Sequence, residues 1–208
     1  MNTLQTLAQA AGIAYTAGLN LYATMGIVGL AGRLGWIGPL PGSLSALTSW
    51  WVIGVALALT AIEFLASLIP AVASVWDSIH SFVRPPAAAA LAAATAWHGD
   101  PAFVLVAALL GGGLGITTHA TKLGLRYAVD ASPEPVSNGV MSVSELGVVA
   151  AIIVAIWNHP YITLTVALAG LIGLMLVVRL LWRALKQLFS GQRVPFISND
   201  RVTDREKS

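Results

Sequence analysis

Apolar runs of about 20 residues recur along this chain, the length an α-helix needs to cross a hydrocarbon layer roughly 30 Å thick. A segment in lipid must satisfy its own backbone hydrogen bonds, so a chain of such runs folds as packed helices. Composition agrees. Of 208 residues, 57% are hydrophobic and 10% charged, where a water-soluble domain carries about a quarter charged. The net charge of +2 offers nucleic acid little attraction, and with no cysteine there are no disulfides, thiolate metal sites or cysteine nucleophiles. The expected class is an all-α polytopic membrane helix bundle in contact with the lipid bilayer, with no nucleic acid partner, no cofactor and no metal.

Residues 7–31 read as a first span. No Lys/Arg-rich segment precedes it and it is too long for a signal peptide, so it is expected to be retained. A short loop with Arg33, Gly35, Pro39, Pro41 and Gly42 follows. The second span, residues 46–69, includes the interfacial pair Trp50 and Trp51 near its start, carries Glu63 and is closed by Pro70. Residues 71–84 are amphipathic: Val72, Val75, Trp76, Ile79, Phe82 and Val83 share helical spacing, with Ser74, Asp77, Ser81 and Arg84 opposite. Pro85-Pro86 is expected to break this helix, since neither residue donates a backbone hydrogen bond. That leaves residues 87–97 as a short third span, with the amphipathic piece either completing a broken crossing or lying on the surface. After the turn His98-Gly99-Asp100-Pro101 come a fourth span at 102–129 and a fifth at 140–157. A sixth, from Tyr161, passes Arg179, Arg183 and Lys186. Residues 1–189 are expected to form one transmembrane domain, and residues 190–208, polar and mixed in charge, a disordered tail.

Six crossings place both termini on one side. With the N-terminus inside, that side collects Arg84, Lys122, Arg126, Arg183, Lys186 and the basic tail, leaving Arg33 outside, so both termini are expected to be cytoplasmic. Gly18-Leu19 followed by Tyr22-Ala23-Thr24 resembles Gly115-Ile116 followed by His119-Ala120-Thr121. Two halves of three spans each would have opposite orientation, so the sequence admits an inverted 3+3 repeat. It also leaves a homo-oligomer open.

Five segments together resemble the bacterial integral membrane family called domain of unknown function 4126. They are Ala17-Gly18-Leu19-Asn20-Leu21-Tyr22-Ala23-Thr24, Ile62-Glu63-Phe64 with Ile69-Pro70, Trp76-Asp77 through Pro86, His119-Ala120-Thr121-Lys122, and Ser132-Pro133-Glu134-Pro135-Val136-Ser137-Asn138 with Ser144-Glu145. The resemblance covers about residues 11–157 and implies a helical protein of the bacterial inner membrane, without implying an activity. An acidic residue often follows the Ile-Pro in that family, at the position Ala73 holds here, so no acidic pair is carried over to this helix.

Ionisable side chains at membrane depth are costly, and they face a bundle interior or a pathway. At about 1.5 Å per residue, Glu63, His119 and Glu145 fall at similar depth. Lys122 and Arg126 follow His119 on one helix face and supply counter-charge. Asn20, Tyr22, Thr24, Thr117 and Thr118 fall near the midplane, where they would line a polar route. The pathway candidates are therefore Asn20, Tyr22, Thr24, Glu63, Asp77, His80, Arg84, His119, Lys122, Arg126, Glu134, Asn138 and Glu145. Within this set Glu63, His119 and Glu145 are expected to titrate as one coupled cluster. Gly111-Gly112-Gly113 with Gly115 lacks the preceding strand of a phosphate loop and suits close helix packing. No Ser-His-Asp set, metal signature or nucleotide motif can be assembled, so an enzyme is not expected. The expected function is a transporter or channel for a small polar solute or ion. The alternative is a binding or scaffolding protein whose polar cluster only holds helices together.

Overall fold

A computed structural model describes residues 2–130 and 135–189. Helices α1 (Thr3–Leu19) and α2 (Leu21–Arg33) precede a 3₁₀ helix (Gly42–Thr48), then come α3 (Trp50–Ser67), α4 (Pro70–Ala96), α5 (Pro101–Asp130), α6 (Pro135–Asn158) and α7 (Pro160–Phe189). There is no strand among the described residues. Helices α4 to α7 each start on a proline, whose fixed φ suits the first turn and whose missing N–H would have no partner there. Four stretches are long and apolar enough to cross a membrane: Trp50–Ser67, Pro101–Tyr127, Asn138–Asn158 and Pro160–Leu180. Residues up to Ile172 form one compact unit. The second unit, from Gly173, contains the later turns of α7 with Arg179, Arg183 and Lys186.

The first apolar stretch is not a single crossing. Asn20 adopts an extended conformation (φ −147°, ψ 102°) between α1 and α2. A continuous helix would hold Gln5 and Trp36 about 45 Å apart; instead both line one cavity of about 370 Å³, with Trp157 of α6. The chain turns back at Asn20, and neither arm, at 17 and 13 residues, spans the roughly 30 Å of a hydrocarbon core. Thr3 and Thr6 line a second cavity with Thr95, His98 and Asp100. The N-terminus therefore shares a face of this unit with His98 and with the chain that follows Arg33, which corrects the expectation that it lies opposite them. The opposite face gathers the α3–α4 turn and the start of α6, where Ser67 and Ser142 share a hydrogen bond of 2.6 Å.

The third span is not broken. Helix α4 runs from Pro70 to Ala96 straight through Pro85-Pro86, joining the amphipathic piece to the short apolar one. Proline removes a donor but its φ is already helical, and α5 packs closely along this stretch. A Cβ on Gly115 would lie 2.7 Å from Cβ of Ala88 and 3.4 Å from Cα of Pro85, and one on Gly111 would lie 2.5 Å from Cβ of Ala92. Such contacts are what small residues give membrane helices, and they hold the helix through its weakest turn. Alanines of α1 complete this core: Ala10, Ala14 and Ala17 are buried with Ala88 and Ala92.

The two similar segments meet, but not as an inverted repeat requires. A Cβ on Gly18 would come 2.7 Å from the Gly115 carbonyl oxygen, and one on Gly111 would come 3.3 Å from Cβ of Ala14. Residues 14 and 18 thus track 111 and 115 in the same order, so α1 and α5 run the same way where an inversion would oppose them.

Candidate functional site

The amphipathic helix faces outward with its apolar side. Asp77, His80 and Arg84 are spaced by three and four residues, which puts them on one helix face, and all are buried, Arg84 completely. Phe82 on the other face is 84% exposed, and Val75 and Ile79 are exposed with it. The polar face instead meets α2, α3 and α5.

There it enters an ion network. Glu63 of α3 takes both Arg84 and Lys122 on one carboxylate oxygen, Lys122 Nζ at 2.8 Å. The same ammonium donates to Glu145 of α6 at 2.7 Å, bridging the two carboxylates. Asn20, at the tip of the α1–α2 turn, donates from Nδ2 to the same Glu145 oxygen at 2.9 Å. Its own Oδ1 accepts from the Ala23 backbone N–H at 2.9 Å, capping α2. Arg126 pairs with Asp77 rather than with Glu63 or Glu145, Nε to Oδ2 at 3.1 Å. Three carboxylates and three cations thus cancel in charge, all within side chains largely shut from solvent.

His119 lies between Arg84 and Ser81. Arg84 Nη1, which can only donate, lies 3.0 Å from Nδ1. The proton therefore sits on Nε2, 2.9 Å from Ser81 Oγ, and Ser81 passes its own hydrogen to the Asp77 carbonyl at 2.9 Å. Beside this chain, Tyr22 Oη lies 3.0 Å from His80 Nε2, and His80 Nδ1 is 2.7 Å from the Trp76 carbonyl, with the His80 and Trp76 rings stacked at 4.6 Å.

The structure thus brings Asn20, Glu63, Asp77, Arg84, His119, Lys122, Arg126 and Glu145 together, with Tyr22 and His80 alongside. Thr24, Thr117 and Thr118 donate to carbonyls of their own or the preceding turn, so their hydroxyl hydrogens are not offered to a route. Asn138 is buried, and neither amide atom has a hydrogen-bond partner among the described residues; Glu134 lies outside them, as does the 190–208 tail. The space beside Glu63, Lys122 and Glu145 is about 10 Å³, room for about one water. Glu63 Oε2, Arg84 Nε and Arg126 Nη1 are buried without a hydrogen-bond partner among the described residues. No group of three His, Asp or Glu side chains among the described residues could hold a metal.

Sequence reasoning placed Arg84 among the pathway candidates but missed the part Ser81 plays beneath His119. The three- and four-residue spacing of Asp77, Ser81 and Arg84 was the available signal. It also missed Gln9 and Trp157, whose buried amide oxygen and indole nitrogen have no partner.

The sequence pattern of the family described as Domain of unknown function (DUF4126) matches residues 7–183. No curated protein and no solved structure matches the chain. The chain belongs to the DUF4126 family.

Proposed function

We propose that the protein is a small membrane transporter or channel in a closed state, with the tip of the α1–α2 turn as its gate. The observation that carries this is Asn20, which joins two half-length helices inside the protein and is hydrogen-bonded to Glu145 within the buried ion network. Half-helices that stop inside a membrane protein offer unpaired backbone groups and dipole ends to a passing solute. Along α6, Val149, Ile153 and Ile156 lie between Glu145 and Trp157, each at most 1% exposed. They form an apolar constriction of the kind that closes channels to water. In this reading α3 to α7 cross the bacterial inner membrane and α1–α2 enters and returns. The face bearing Thr3 and His98 is extracytoplasmic, because Arg33 is the one Lys or Arg exposed there among the described residues.

A structural reading has its own support: the ion pairs cancel and the space beside them is about 10 Å³. Flux separates the two. Purified protein in liposomes should pass a small ion or neutral polar solute, and Asn20→Ala, which frees the tip from Glu145, should change that flux at least severalfold while the protein stays folded. If no solute in a panel of alkali cations, halides, amino acids and sugars moves through the wild type or the variant, the cluster is a structural clasp.

A further inference from the structure

On the face shared by Thr3 and His98, the arms of the α1–α2 turn diverge around the end of α6. Between them lies the cavity of about 370 Å³, within the roughly 300–1,000 Å³ of small-molecule sites. Its polar lining is Gln5, Gln9 and Asn158, its aromatic lining Trp36 and Trp157, and no charged side chain contributes. Gln9 stands in a run of buried alanines, Ala8, Ala10 and Ala11, and is itself 3% exposed. Among the described residues its Oε1 has no hydrogen-bond partner, and neither has the Trp157 indole nitrogen.

A buried amide that bonds nothing destabilises the fold, by more than an alanine or leucine there would. Here two residues with an idle acceptor and an idle donor line one cavity. A charged ligand would enter without a counter-ion. A hydroxylated one fits: an O–H donates to the glutamine oxygen, another oxygen accepts the indole N–H, and C–H faces pack on the indole rings. We infer that this cavity binds an uncharged polyhydroxylated group, the sugar or polyol part either of a free solute or of a lipid headgroup. Binding here requires no movement of Asn20, so it stands apart from transport.

The test is calorimetric titration of the full chain in a detergent without a sugar headgroup. Maltose and mannitol serve as free probes, dodecyl maltoside as the lipid-like one and glucose 6-phosphate as the charged control. Saturable binding of maltose or mannitol is expected if the source is a solute, and of dodecyl maltoside alone if it is a headgroup. Glucose 6-phosphate should not bind. Gln9→Leu and Trp157→Phe should each weaken binding about tenfold, the value of one hydrogen bond. Gln9→Leu should also leave the unfolding temperature unchanged or higher, which a structural amide would not. No saturable binding of any neutral probe, equal binding of the phosphate, or unchanged affinity in both variants overturns the inference.

Discussion

At the scale of single residues, Asn20 answers two demands at once. It must accept a backbone N–H to start α2 and donate to a carboxylate, and its short amide does both. Asn20→Ser keeps the cap and loses the bond to Glu145, which should cost about 1.5–3 kcal/mol, the worth of a hydrogen bond to a charged group. Asn20→Asp keeps the cap too but sets a fourth carboxylate in the network, against Glu145, and should cost about 3–5 kcal/mol, as an unpaired buried charge does. Thermal unfolding in detergent orders the two; equal stability of both variants would mean that Asn20 only caps. Arg84 is the other decisive residue, fully buried and divided between Glu63 and His119. Arg84→Met should destabilise by about 3–5 kcal/mol. Arg84→Lys should recover only part of this, because an ammonium on a flexible stem lacks the planar fork that reaches both partners. Full recovery by lysine would show that charge alone suffices.

At the scale of helices, Pro85-Pro86 reads as a break because proline removes a donor and crowds the preceding turn, and the sequence offers no view of what packs beside it. The glycines at 111 and 115 admit α5 against that turn, and the helix continues. Pro86→Ala, which restores a donor to the Phe82 carbonyl, should therefore be neutral or stabilising by about 1 kcal/mol. A loss of more than about 1 kcal/mol in a denaturation series would show that the proline shapes α4 after all. The long apolar helices and the grouping of Glu63, His119, Lys122 and Glu145 at one depth were legible, since length, hydropathy and a rise of 1.5 Å per residue suffice for them. The turn at Asn20 was not. One asparagine within an apolar run is compatible with a straight span, and only the packing of α2 on α3 and of α1 on α5 makes the chain fold back. The partner exchange between Asp77 and Glu63 was hidden for the same reason: depth places side chains in a layer, and rotation about each helix axis decides which of them meet.

At the scale of the molecule, the turn at Asn20 folds the first apolar stretch back and brings Thr3 to the face of His98. Single cysteines introduced at Thr3, Gly38 and His98 should all react with an impermeant thiol reagent from one side of intact cells, and a cysteine at Ile69 from the other. The chain has no cysteine of its own to confuse the signal. Labelling of Thr3 and Gly38 from opposite sides would restore the straight first span. The positive-inside count also changes, because Arg84, Lys122 and Arg126 lie in buried pairs and do not meet headgroups. Their pairing has an electrical consequence. A membrane voltage does work on net charge, about 2.3 kcal/mol for each elementary charge carried through 100 mV. A block holding three charges of each sign in matched pairs experiences almost no net force from that field. The resting potential of a cell would neither clamp such a block nor drive it, whichever way it shifted as a unit. Voltage acts on it only through separation, when Lys122 leaves one carboxylate or Arg126 leaves Asp77, so the block is electrically silent until a pair comes apart.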